Sequence, residues 1–259
     1  MRLADFFKFL KTSDRQIVSI IGCGGKTSLL WALAAQARRG KILVTTTTHT
    51  QRPEQADGLY DYFFDEAAST GLKPADGVGL AGNVNSSGFS ISSFSIPALE
   101  RIIPLFDNVF IEADGSRAKP LKAWADYEPV ITDSTTVSVG ILPLWPLGRP
   151  VSQEIVHRLP LFTALSGAGE GSIISLEHYL PVISGRTPDG IDMDAALSGS
   201  AHSLFKISCG KKVLFFNQVE DEEQMENARR LEAMLPPDFR AGLSAVIAGS
   251  VRQDRMELL

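Results

Sequence analysis

Residues 16–49 read QIVSIIGCGGKTSLLWALAAQARRGKILVTTTTH. Segment 16–21 (QIVSII) is apolar, rich in β-branched residues and ends on Gly22, the pattern of a short buried strand. Residues 28–39 carry apolar side chains at helical spacing, with Arg38 and Arg39 in the expected last turn and Gly40 as a stop. Segment 41–45 (KILVT) predicts a second strand. Strand, glycine turn, helix and strand form a βαβ unit, which implies parallel pairing and a right-handed crossover.

The turn itself is Gly22-Cys23-Gly24-Gly25-Lys26-Thr27, followed by Ser28. Glycines let the backbone curl with its N–H groups inward, and the helix behind adds free amides and a positive dipole end. In such a setting Lys26 reaches the β- and γ-phosphates of a nucleotide, and Thr27 puts its hydroxyl on Mg²⁺. The standard phosphate-loop spacing has a glycine where Ile20 stands, whereas a shortened Gly-x-x-Gly-Lys-Thr starting at Gly22 fits. Cys23 fits as a small residue; the alternative is a reactive thiol of low pKa at a helix N-terminus.

Strands are expected at 59–64, 78–81, 108–112, 135–142, 211–217 and 243–248, and helices at 97–106, 153–165, 175–183 and 221–235. The serine-rich segment 85–95 predicts a loop or an edge hairpin. Pro143, Pro146, Gly148 and Pro150 mark a linker or sharp turn. Alternating strands and helices predict an α/β fold of P-loop NTPase type, a mainly parallel sheet flanked by helices with a smaller irregular or helical insertion. The expected organisation is a nucleotide-binding core over 1–142, a linker and helical insertion over 143–210, and a strand-helix-strand over 211–259 that completes the sheet.

Segment 108–112 (NVFIE) delivers Glu112, then Ala113-Asp114-Gly115, to a strand's carboxyl end, where open α/β sheets bind ligands. Either Glu112 or Asp114 can hold the metal beside Thr27, and Gly115 can offer its amide to a γ-phosphate. Arg117, Lys119 and Lys122 form a cationic cluster suited to an anionic substrate or to balancing nearby carboxylates. Thr45, Thr46, Thr47, Thr48 and His49 end the second strand; Thr46 is the hydroxyl assigned to the nucleotide. Asn217-Gln218-Val219-Glu220 resembles the Asn-Lys-x-Asp element with which GTPases read guanine, with Gln for Lys and Glu for Asp, and Asn217 is assigned to the nucleotide. Arg158 is a candidate phosphate finger. His157, His178 and His202 lack partners at metal-ligand spacing, so no transition-metal site is expected.

The 259 residues are 44% hydrophobic and 21% charged with a net charge of −5, an ordinary globular composition. A chain of this length buries roughly 70–75% of its unfolded surface and needs neither disulfide nor metal to fold. The acidic balance argues against a general nucleic-acid binder. Two cysteines exclude a disulfide scaffold. The N-terminus lacks a signal-peptide core, and no stretch approaches the roughly 18 apolar residues of a membrane span, so the cytoplasm is expected.

Taken in order, IIGCGGKTSLL, VTTTTH, VFIEADGSRAKPLKAWADYEPV, VHR at 156–158 and FFNQVED are similar to the YqeC family, bacterial P-loop proteins linked to maturation of selenium-dependent molybdenum hydroxylases. The likeness runs over about residues 16–221, most of the chain. It implies a nucleotide-binding accessory protein that uses Mg²⁺ with ATP or GTP and a hydroxylase or cofactor-assembly protein as client. The shortened loop also resembles that of the peptidoglycan-precursor ligases, which keeps a small-molecule kinase or ATP-dependent ligase as an alternative, with a non-catalytic nucleotide sensor as a third.

Overall fold

A computed structural model describes residues 1–11, 15–37, 39–86 and 88–259. Nine strands among them form one sheet: β1 (Gln16–Gly22), β2 (Lys41–Thr46), β3 (Tyr62–Phe64), β4 (Gly77–Ala81), β5 (Asn108–Glu112), β6 (Val137–Pro143), β7 (Lys211–Asn217), β8 (Ala245–Ser250) and β9 (Arg255–Leu258). Their spatial order is β9-β8-β7-β6-β1-β5-β2-β4-β3. Every neighbouring pair is parallel except β8 with β9. The expected α/β architecture, a large and mostly parallel sheet flanked by helices, is present.

Helices α1 (Leu3–Leu10), α2 (Lys26–Gln36), α3 (Ile96–Ile102), α4 (Leu159–Ser166), α5 (Leu176–Ser184) and α6 (Glu222–Met234) flank this sheet. Alternation along β1 sends its side chains to opposite faces. Val18 and Ile20 pack with Phe6 and Leu10 of α1 and Leu29 and Leu33 of α2. Ile17 and Ile21 pack with Leu99 of α3, Phe162 of α4, Tyr179 of α5 and Leu231 of α6. All seven residues of β1 are buried, as expected for a central strand covered by helices on both faces.

Several boundaries differ from the sequence expectation. Helix α2 stops at Gln36, and Arg38 lies outside the described residues, as does Ser87 in the 85–95 segment. Around that segment His49–Gln51, Ser90–Ser92 and Asn83–Val84 make a small antiparallel ribbon. The helix expected over 153–165 is corrected: Val156–His157 pairs in parallel with Leu121–Lys122, and α4 starts only at Leu159. Arg158 adopts a left-handed φ of 60°, which breaks helical continuity, and Pro160 suits the first turn that follows. Helix α1 and strand β9 were not anticipated. Met1 ties them together: its backbone carbonyl accepts from the Met256 amide.

Strand order reverses around β1. The chain leaves β1 through α2 towards β2, with β5 between them, whereas β6 pairs on the other side. Open α/β sheets bind ligands at the carboxyl edge of such a switch point. No helix among the described residues is long and apolar enough to cross a membrane.

Candidate functional site

Register brings the candidate residues to one edge. Gly22 pairs with Ile141, Glu112 lies opposite both Ile20 and Thr46, and Pro143 lies opposite Asn217. Strands β1, β2, β5 and β7 therefore end with Gly22, Thr46, Glu112 and Asn217 along one edge of the sheet.

The glycine turn leaves β1 there. The Cys23 amide still donates to Ile141 O at 2.9 Å, extending the ladder by one residue. Beyond it, the amides of Gly24, Gly25, Lys26 and Thr27 have no acceptor among the described residues. They open the eleven-residue helix α2, whose first-turn donors have no intrahelical partner. Gly24, at φ +77°, sits against the Pro143 ring, and a Cβ there would fall 2.5 Å from its Cδ. Gly25 takes φ +118°, and its Cβ would fall 2.4 Å from Asn217 Nδ2. Asn217 Nδ2 donates to Gly24 O at 2.8 Å, while the Val251 amide donates to Asn217 Oδ1 at 3.1 Å. Both ends of that side-chain amide tie the turn to the loop after β8. Thr27 and Ser28 are exposed at the start of α2.

A row of alternating charges lies beneath the turn. Lys26 is 5% exposed; its Nζ donates to Gly22 O at 2.7 Å and stands 3.5 Å from Asp114 and 3.9 Å from Glu112. Burial disfavours its ammonium, but Asp114 and Glu112 outweigh this and raise its pKa. Asp114 is 1% exposed and accepts from the Gly22 amide at 3.0 Å, Lys122 Nζ at 3.0 Å and Trp124 Nε1 at 2.5 Å. Burial pushes its carboxyl up, yet Lys26, Lys122 and the Gly22 amide hold it below the usual aspartate range. Lys122 is fully buried and also reaches Gly115 O at 2.6 Å and Glu128 at 3.3 Å; Glu128 accepts from Arg158 Nε at 3.1 Å. Three carboxylates and three cations thus neutralise one another, which burial requires.

Glu112 is placed differently. One carboxylate oxygen accepts from Thr27 Oγ1 at 2.9 Å and Thr50 Oγ1 at 3.1 Å. Burial raises its pKa against the opposing pull of Lys26, Thr27 and Thr50. A carboxylate and two hydroxyls are hard oxygen donors of the kind Mg²⁺ takes together with phosphate oxygens and water. Among the described residues no group of three His, Cys, Asp or Glu could hold a metal ion.

Other candidates are spent on the scaffold. Thr46 donates to Glu112 O at 2.8 Å and accepts from the Thr48 amide at 3.0 Å; Thr45 and Thr47 donate to Ala81 O and Val130 O. Lys119 donates to Gln153 O and Val156 O, and Lys122 is buried, so Arg117 is the exposed member of that cluster. The reactive-thiol alternative for Cys23 is overturned: burial pushes its thiol up to about 12, and Sγ donates to Pro120 O at 2.9 Å. His157 moves the other way, pushed down to about 4 by burial and then by Lys122 and Arg158. Thr50 was passed over in the sequence, although the alternation His49-Thr50-Gln51 turns it alone of the three inward. A cleft of about 420 Å³ runs from Gly25 and Ser28 past Asn217 and Gln218 to Glu220 and Arg252, with Trp145 on its wall.

Residues 18–160 match the family model described as YqeC protein. The Escherichia coli (strain K12) protein described as "Uncharacterized protein YqeC" is 28% identical over 242 residues, covering 92% of this chain and 88% of that protein. The matched segment contains the glycine turn, the Glu112-x-Asp114 strand end, Lys122, Glu128 and Arg158. The chain belongs to the YqeC family.

Proposed function

We propose that this protein binds the polyphosphate of a nucleoside triphosphate on the 22–27 turn and hydrolyses it slowly, as a Mg²⁺-dependent P-loop NTPase. The observation that carries this is the set of four consecutive amides, Gly24 to Thr27, without acceptors among the described residues, at the head of α2 and beside Lys26. Backbone donors and a helix dipole converging on one point favour an anion. Lys26 would leave Gly22 O and donate to the β- and γ-phosphates, where it offsets charge that grows as the phosphoryl group transfers. Bound Mg²⁺ would supply charge neutralisation between the phosphates. Thr27 and Glu112 would hold it, because the four polar partners of Asp114 leave that carboxylate little capacity. Gly115, whose carbonyl is fixed by Lys122, would present its amide to the γ-phosphate.

Family membership supports the further reading of an accessory role in maturing selenium-dependent molybdenum hydroxylases, with the hydroxylase or a cofactor-assembly protein as client. A non-catalytic sensor is the second reading. It is favoured by Arg158, whose guanidinium is engaged with Glu128 rather than left as a phosphate finger. Phosphate release separates the two. Purified protein with Mg²⁺ and ATP or GTP should release phosphate slowly, and Glu112→Gln should lower that rate by about a hundredfold, as expected when a metal-holding carboxylate is lost. Intact nucleotide after prolonged incubation, alone and with candidate clients, would leave the sensor reading.

A further inference from the structure

The cleft beside Gly25 and Ser28 is lined by the loops after β7 and β8 and not by Glu112. A nucleoside whose phosphates rest on the turn would carry its base into it. At about 420 Å³ it is in the range of small-molecule sites. Its polar groups are not symmetric. Glu220 offers a carboxylate, fixed by a hydrogen bond of 2.9 Å from Ser250 Oγ and by its own amide, which donates to Gln224 Oε1 at 2.8 Å. Gln218 Oε1 is buried with no hydrogen-bond partner among the described residues, on a residue held at a left-handed φ of 61°. Both are acceptors. The cation near them, Arg252, has a side chain 79% exposed and pairs with Glu220 from the solvent side. Such an exposed pair contributes little and yields to a better partner. Trp145, 36% exposed, lines the same cleft and gives it an aromatic wall.

We propose, resting on the nucleotide reading above, that this cleft is a guanine-specific base site in which Glu220 accepts both N1–H and the exocyclic N2–H of the base. Among the common bases guanine alone presents two adjacent N–H donors on one edge. An ionised carboxylate has two acceptor oxygens and no donor, so it matches that edge and opposes the N1 acceptor of adenine. Arg252 swings off Glu220 as the base enters. Asn217 contributes by fixing the loop, since both ends of its amide are already engaged.

The test is titration calorimetry in Mg²⁺ with GDP, ADP and xanthosine diphosphate on the wild type, Glu220→Gln and Arg252→Ala. The wild type should bind GDP at least about tenfold more tightly than ADP, as a site built around hydrogen-bond donors of the ligand requires. Glu220→Gln should lose that preference and gain affinity for xanthosine diphosphate, because its amide N–H₂ now meets the C2 carbonyl. Arg252→Ala should keep the GDP preference. Equal binding of GDP and ADP by the wild type, a preference for ADP, unchanged GDP affinity in Glu220→Gln, or lost discrimination in Arg252→Ala would each overturn the base site and leave the phosphate site standing. Failure of all three diphosphates to bind the folded wild type would instead remove the nucleotide reading, and this inference with it. If Glu220→Gln does not fold, the wild-type and Arg252→Ala titrations decide.

Discussion

Glu112 and Asp114 stand two residues apart at the end of one strand and do different work. Their neighbours explain why the sequence left them equivalent. Asp114 is claimed by Lys122 and Trp124, eight and ten residues further on, and by the Gly22 amide from a different strand. Glu112 meets Thr27 at the start of α2 and Thr50 just after β2 instead, both some sixty or more residues before it in the chain. Such pairings follow from register, which a local motif does not carry. Because Asp114 is held below its unfolded pKa, its contribution to stability is complete above the ordinary aspartate range and is lost as pH falls through the depressed value. Asp114→Asn leaves two buried ammonium groups short of a partner. Urea unfolding at pH 7 should show a loss of about 3–5 kcal/mol, narrowing as the pH falls below the ordinary aspartate range towards the depressed value at which Asp114 protonates in the folded wild type. A variant as stable as the wild type at pH 7 would refute this assignment of the network.

Among the elements, those whose signal is local were legible. Segments 16–21 and 108–112 are apolar runs closed by a glycine or an acid, and both are strands that stop at the site. Helix α6 announced itself through Asp221, which caps the Gln224 amide at 2.8 Å. The stretch 153–165 misled because its apolar spacing suits a helix, while the left-handed Arg158 and the pairing of Val156–His157 with Leu121–Lys122 are set by distant chain. That pairing has a purpose: it seats Arg158 on Glu128 at the end of the charge row. The cationic cluster of Arg117, Lys119 and Lys122 was visible as composition, but burial of Lys122 made it structural. Asn217 is where two elements meet, binding the glycine turn to the loop after β8. Asn217→Ala would leave Gly24 O and the Val251 amide unpaired. Thermal unfolding should register a loss of about 2–3 kcal/mol. It should also loosen nucleotide binding through the turn, and an unchanged melting temperature with unchanged affinity would show that this link is idle.

At the scale of the molecule, the sheet order decides where chemistry can sit. Helices α1 and α2 cover one face and α3 to α6 the other, so the sheet's faces are closed and its carboxyl edge is the open side. The insertion expected over 143–210 supplies α4 and α5, whose Phe162, Leu165 and Tyr179 share a core with Leu142 and Phe216 of the sheet. Strands β5 and β6 lie on either side of β1, whose end at Gly22 places the turn at the reversal point. The alternation of strands and helices was readable; the reversal, with β5 inserted between β1 and β2, depends on pairing across nearly a hundred residues and was not. The central claim is that the 22–27 turn holds a polyphosphate with Lys26. Its most direct measurement is the melting temperature of wild type and Lys26→Ala with and without Mg²⁺ and saturating ATP or GTP. A ligand at about a hundred times its Kd that binds only the folded state adds about 2.7 kcal/mol, or roughly 5–10 °C for a chain of this size. The wild type should rise by that amount with at least one nucleotide and Lys26→Ala should not move; no rise in the wild type with either nucleotide, or an equal rise in the variant, would contradict the account.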